Sequence, residues 1–311
     1  MRIAVILSLL FVFVFGLQTD GQAANRSEHA KPGSHTLAQA DDTIKQAITM
    51  CRGLRDRFIE ARIEACTLLL GFDSVPPRAR ATIFLNRGVL HFHKRYLDDA
   101  RRDYDKAIEL NPQYALAYVS RAGVHFVKGA YDDAIADYSR AIEVKPDYAK
   151  AYALRALSYM EQRNIAPALR DFDRAIELKP DYTIAYGNRA LARTMAQRYD
   201  DALADFDRAL ELNPDFADAL NNKAFLRVAA KDPQYLDADE AERLVKRAIE
   251  IRGLARYYST LAAAYSHQGR FEEAVETQEE AISRVRAQGK QDKVDQYEAE
   301  LELYRARKPY R

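Results

Sequence analysis

The sequence predicts an all-α chain, a solenoid of stacked helix–turn–helix repeats, and three observations carry that prediction. Proline recurs at Pro112, Pro146, Pro180 and Pro214, each 34 residues after the last. Each closes a similar phrase, as in Ala107-Ile108-Glu109-Leu110-Asn111-Pro112 and Ala209-Leu210-Glu211-Leu212-Asn213-Pro214. Between the prolines, small and aromatic residues return at fixed offsets. A period of this length belongs to paired-helix arrays. Proline lacks a backbone N–H and disfavours helix at the residue before it, so it ends one helix and opens the next.

Counting each unit so that this proline is its thirty-second residue, regular units start at Ala81, Ala115, Ala149 and Thr183 and fill 81–216. The fourth column is aromatic (Phe84, Tyr118, Tyr152, Tyr186) and the eighth is small (Gly88, Ala122, Ala156, Ala190). The twentieth and twenty-seventh are alanine in every unit, Ala100 and Ala107 in the first, and the twenty-fourth is Tyr104, Tyr138, Phe172 and Phe206. Small residues on facing helices permit close approach, and aromatics three or four residues away fill the space around them. The seventh column carries Arg87, Arg121, Arg155 and Arg189, and the twenty-third Asp103, Asp137, Asp171 and Asp205. With an equal row of Asp to neutralise it, the arginine row reads as a ladder within or between units rather than a grip for acidic partners.

The remaining elements follow from the ends inward. Met1-Arg2 and the apolar run Ile3–Leu17, broken only by Ser8 and Gly16, have the form of a signal peptide, with small residues at Gly21, Ala23 and Ala24. The run is short for a membrane span. Residues 1–23 are therefore expected to be removed, 24–42 to be a flexible mature N-terminus, and the protein to be periplasmic or secreted. Cys51 and Cys66 are the only cysteines, and in an exported protein an even pair implies one disulfide. It closes a loop of about 15 residues, worth roughly 3 kcal/mol in the chain-entropy account. Residues 43–80 form a degenerate first repeat, with Arg62 where the others place the alanine of the twentieth column. Residues 217–286 hold two divergent units, the first with roughly five extra residues around Lys231–Gln234 between its helices. Residues 287–311 give a C-terminal capping helix and tail, as terminal repeats must face water.

These columns resemble the tetratricopeptide repeat. The resemblance implies a right-handed superhelical solenoid whose first helices line a concave groove, chiefly through columns two, five, six, nine, twelve and thirteen. Carried over, these give Asn86, Val119, Phe126, Lys150, Leu157, Met160, Asn188, Leu191 and Asn222 as peptide-binding residues. Val119, Leu157 and Met160 are expected to be exposed there beside polar Lys150 and Asn188. Some family members hold a peptide's terminal carboxylate in a Lys/Asn/Arg clamp. Leu85, Val89 and Ser120 stand at clamp positions here, so that ligand is not expected.

The sequence carries none of the usual enzymatic motifs. There is no Gly-rich phosphate loop, nucleophile elbow or metalloprotease helix motif. His91 and His125 share the eleventh column, where Tyr159 stands in the third unit, and read as packing residues. His93, two residues from His91, lies on another face of its helix. The acidic pairs Asp98-Asp99, Asp132-Asp133 and Asp200-Asp201 open second helices, where they complement the helix dipole. Lys plus Arg number 47 against 46 Asp plus Glu, a net charge of +1. This balance gives no reason to expect nucleic acid as a partner. The expectation is a non-catalytic scaffold without cofactor or metal that binds a protein or peptide partner in its groove. The alternative is an accessory factor of an envelope-assembly or secretion complex at the membrane.

Overall fold

The computed structural model describes residues 35–52 and 58–310. Among them lie fifteen α-helices, one 3₁₀ turn and no strand. The chain falls into two compact units, 1–163 and 164–311. The expected signal segment lies outside the described residues.

The first unit contains α1 (His35–Arg52), α2 (Ile59–Leu70), α3 (Pro77–His93), α4 (Leu97–Leu110), α5 (Ala115–Val127), α6 (Tyr131–Val144) and α7 (Ala149–Glu161). Helix α1 begins at His35, not at residue 43, which corrects the expectation of a flexible stretch up to residue 42. After Pro32-Gly33 nothing in that stretch breaks a helix. Cys51 and Cys66 form a disulfide that joins α1 to α2, with Cα atoms 5.0 Å apart. Around it Ala47, Ala65, Leu69 and Leu90 make a small buried cluster backed by Ile44, Ile59, Ile63 and Ile83. The end of α2 is capped from α3, where the Arg80 guanidinium donates to the carbonyls of Leu70 (2.8 Å) and Phe72 (3.1 Å).

The second unit contains α8 (Ile165–Leu178), α9 (Thr183–Met195), α10 (Tyr199–Leu212), α11 (Ala217–Ala229), α12 (Ala238–Ile251), α13 (Ala255–His267), α14 (Phe271–Ala287) and α15 (Gln291–Arg305). Its core runs through Leu220, Ala224, Val228, Val245, Tyr257, Leu261 and Tyr304, all buried. A second cluster of Ile282, Val285, Val294, Tyr297 and Leu301 fixes α15 on α14.

The repeat columns do what their chemistry requires. Ala100, Ala134, Ala168 and Ala202, the aromatics Tyr104, Tyr138, Phe172 and Phe206, and Ala107, Ala141, Ala175 and Ala209 are wholly inaccessible to solvent. The residue before each repeating proline (Asn111, Lys145, Lys179, Asn213) is extended, with φ between −136° and −145°, as the following ring demands. In five repeats the fifteenth column turns the chain after the first helix in the left-handed conformation: Arg95 (φ 65°), Gly129 (76°), Arg163 (61°), Gln197 (59°) and Gly269 (76°). In four of these the next residue donates its N–H to the carbonyl of the eleventh column, as Tyr96 does to His91 and Arg198 to Arg193, each at 2.9 Å. This is the six-to-one closure of a helix C-terminus.

The fifth repeat reaches the same closure by a longer route. The Asp237 N–H donates to the Arg227 carbonyl at 2.8 Å, across a stretch that includes the 3₁₀ turn Pro233–Tyr235. The extra residues are looped out and held against the preceding repeat. The Tyr235 ring lies 4.9 Å from Tyr199, its hydroxyl donates to Asp200 (2.9 Å), and the Lys231 N–H donates to the Tyr199 hydroxyl (3.2 Å).

Candidate functional site

The polar columns are structural before they are functional. Arg121 binds Asp137 of its own repeat through Nε (2.8 Å) and Nη2 (2.6 Å), and reaches back through Nη1 to Asp105 of the preceding repeat (2.7 Å). Arg189 does the same with Asp205 (2.9 and 2.7 Å) and Asp173 (2.6 Å). Arg87 holds Asp103 and the Thr67 hydroxyl. Each guanidinium also lies over the aromatic ring one turn earlier: Arg87 on Phe84, Arg121 on Tyr118 and Arg189 on Tyr186, at 5.4–5.7 Å. In the fifth repeat Lys223 takes over, bonded to Asp207 (2.7 Å) and Glu240 (2.8 Å). The ladder therefore runs both within and between repeats, and its arginines are engaged.

The histidines of the eleventh column join this ladder. His91 Nδ1 lies 3.0 Å from Asp103 and His125 Nε2 3.7 Å from Asp137, where the fourth repeat places Arg193 against Asp205 (2.6 Å). Among the described residues no group of three His, Cys, Asp or Glu side chains is placed to hold a metal ion.

The face of the first helices differs from the sequence expectation. Val119, Leu157 and Met160 have no solvent exposure and Phe126 has 4%, so these four are core, not groove lining. Phe126 spends its ring on Tyr131, centroids 5.3 Å apart. The reason is positional. Columns five and twelve of a first helix, where Val119, Phe126 and Met160 stand, point toward neighbouring helices, as buried Leu85 and Phe92 show in the first regular repeat, and Leu157 in the ninth column is buried with them. Asn188 is buried too, with its Nδ2 unpaired. Asn86, Lys150, Leu191 and Asn222 remain partly open, and Asn222 accepts a weak hydrogen bond from Asn221 (3.4 Å).

Lys150, in the second column of its repeat on α7, is half-buried, and no carboxylate faces it among the described residues. Burial alone pushes its pKa down to about 8, since desolvation disfavours the charged ammonium. The second-column residue of the fifth repeat is Asp218, and it is satisfied from within the chain. Its buried carboxylate accepts from the Tyr257 hydroxyl (2.6 Å), from Arg252 (2.8 Å) and from Arg256.

Sequence reasoning missed one set of residues on this face. After α15 the chain turns back through Arg307, in the left-handed conformation (φ 52°), and the Tyr310 side chain packs beside Phe225 on α11. Its backbone N–H donates to the Ser266 hydroxyl on α13 (3.0 Å). The only signal was Pro309 just past the last helix with an aromatic residue after it.

Residues 81–114, 149–182, 183–216 and 254–287 match family models described as tetratricopeptide repeat, and 123–163 matches one described as TPR repeat. Together they span more than half of the chain. A tetratricopeptide repeat protein from Parabacteroides merdae ATCC 43184 shares the fold, with a TM-score of 0.66 and 18% identity over 85% of this chain and 99% of that one. PilW, a type IV pilus biogenesis factor, superposes with a TM-score of 0.59 and 19% identity over 65% of this chain and 92% of that one. No curated protein sequence matches the chain.

Proposed function

Because the chain belongs to the tetratricopeptide-repeat family, we propose that it is a non-catalytic scaffold that holds a segment of a partner protein on the face of its first helices. The observation that carries this reading is Lys150. An ammonium held in a half-buried site, with its pKa driven down to about 8 and no internal carboxylate to repay the cost, destabilises the fold that contains it. A partner carboxylate or carbonyl set against it would recover that cost on binding. The arginines of the ladder offer no comparable site, since Arg87, Arg121 and Arg189 are each already bonded to Asp.

The buried Cys51–Cys66 disulfide supports an exported location, periplasmic or secreted, because such bonds persist in oxidising compartments.

The test is a side-by-side pull-down from the native organism's envelope with the wild-type chain and Lys150→Met. The variant keeps the length of the side chain and removes its charge. Retained helicity with loss of the co-purifying partner supports the proposal. An unchanged partner profile would sink the role of Lys150. Cell fractionation of the native protein separates a free exported scaffold from a membrane-held accessory factor.

A further inference from the structure

The last five residues of the described chain form a built structure. The Arg307 N–H donates to the Tyr304 carbonyl and the Lys308 N–H to the Leu303 carbonyl, both at 2.9 Å, so α15 ends in a left-handed closure that reverses the chain. Arg307 is pinned by Glu272 (2.7 Å) and lies 5.4 Å over the Phe271 ring. Pro309 prevents the helix from resuming. Tyr310 then lands on the face of the first helices of the last two repeats. Its ring meets Phe225 edge-on, with centroids 6.0 Å apart and planes at 69°, a favourable aromatic geometry. It covers the core cluster that contains Leu220, Val228 and Tyr304.

The backbone is held as well as the ring. The Ser266 hydroxyl donates to the Ala263 carbonyl (2.7 Å), which leaves its lone pairs for the Tyr310 N–H (3.0 Å). Ser266 is buried beneath the Tyr310 backbone, and Phe225 stays partly open on α11. An anchored aromatic ring and one anchored N–H are how an extended peptide is gripped in a groove.

We propose that the surface shared by α11 and α13, which Tyr310 covers, is a binding site for an extended peptide segment carrying an aromatic side chain directly after proline, and that the chain's own Lys308-Pro309-Tyr310 occupies it as a tethered competitor. This rests on the reading that partner segments dock on the first-helix face. It adds a second site, distinct from Lys150, and a means of regulation: a partner gains this surface only by displacing the tail. A tethered ligand acts at an effective concentration of about a millimolar, so it raises the threshold for any weaker competitor without closing the site to a strong one.

The test uses two synthetic probes, the acetylated and amidated tetrapeptides Lys-Pro-Tyr-Arg and Lys-Pro-Ala-Arg, titrated calorimetrically into the full chain and into its Tyr310→Ala variant. The tyrosine probe should bind the variant at least about tenfold more tightly than the wild type, and the alanine probe should bind neither. Equal affinity of both chains, equal affinity for both probes, or no binding of the tyrosine probe to a variant of intact helix content would each overturn the proposal. Amide exchange in the wild type gives a second measure that needs no variant. The Tyr310 N–H should be protected and should lose protection with excess tyrosine probe, and an unprotected Tyr310 N–H also overturns the proposal. So does a dimer that becomes monomeric on Tyr310→Ala, because the tail would then sit in a second copy. None of these readouts involves the native partner, so their failure leaves the Lys150 test standing, and the reverse holds.

Discussion

Gly88 and Tyr104 fit so closely that a Cβ on Gly88 would stand 2.6 Å from the Tyr104 ring. The other regular repeats place alanine in this column, yet here the ring of α4 has moved into the space that alanine would fill. Gly88→Ala should therefore cost about 1–3 kcal/mol, the usual penalty for overpacking a core. A urea denaturation midpoint no lower than the wild type's would show that the helices part freely at this point.

The left-handed fifteenth column predicts a gain. Gln197 holds φ 59° and is exposed, with no hydrogen bond from its side chain. A side chain in that conformation costs roughly 1–2 kcal/mol that glycine escapes, against a smaller loss from the freer unfolded chain. Gln197→Gly should raise the midpoint slightly, and Gly129→Gln should lower it. The opposite order in thermal melts would contradict the turn geometry.

The disulfide predicts a local effect. Replacing Cys51 and Cys66 by serine should cost roughly 3 kcal/mol. The loss should concentrate in α1 and α2, because repeats depend mainly on their neighbours. Limited proteolysis should then cut within 35–70 before it touches 81–163. Uniform sensitivity along the chain would argue against that independence.

Lys150 sets a pH dependence whose sign can be worked out. Its pKa falls to about 8 on folding from an ordinary 10.5. Between those limits the unfolded chain binds more protons than the folded one, so stability rises with pH across the window. Below pH 8 the full penalty of the buried charge is present. Lys150→Met should be more stable than wild type at pH 7, and the difference should shrink toward pH 10.5. A less stable variant would mean that an unseen partner repays the charge.

His267 acts in the acid range. Burial lowers its pKa from the ordinary 6.5, outweighing hydrogen bonding with the backbone at Val228 and Tyr310. As pH drops through about 6.5 the unfolded imidazole takes a proton that the folded one refuses. Stability is then lost on acidification. His267→Gln should flatten this part of the pH–stability curve, and exchange of the Tyr310 amide should quicken at pH 5 in the wild type alone. Parallel curves for the two proteins would exclude His267 as the source.

The repeat columns were legible because each carries one steric demand and the sequence states that demand four times. Ala100 and Tyr104 could be assigned to the core without coordinates for that reason. The pairing of Arg121 with Asp137 was legible in the same way. Its third arm to Asp105 was not, because that contact depends on how far one repeat is offset from the next. The burial of Val119 and Phe126 was not, since the chemistry of an apolar residue on a first helix does not mark whether its column serves the core or the open face. Tyr310 occurs once, outside the period, so no second copy existed to give its place away. The start of α1 at His35 was hidden by the absence of any repeat pattern at that end.

The Arg227 carbonyl, met by an N–H ten residues on where its counterparts are met at five, separates chain length from helix geometry at one junction. The eleventh-column carbonyl is closed here as in four other repeats, so the 3₁₀ turn is a length-tolerant seam in an otherwise strictly metered chain. A foreign segment spliced in beside Gln234 would lengthen the molecule's sequence while leaving the register of every following repeat as it was. The protein thus carries, in its fifth repeat, a natural port for adding a new surface without rebuilding the old ones.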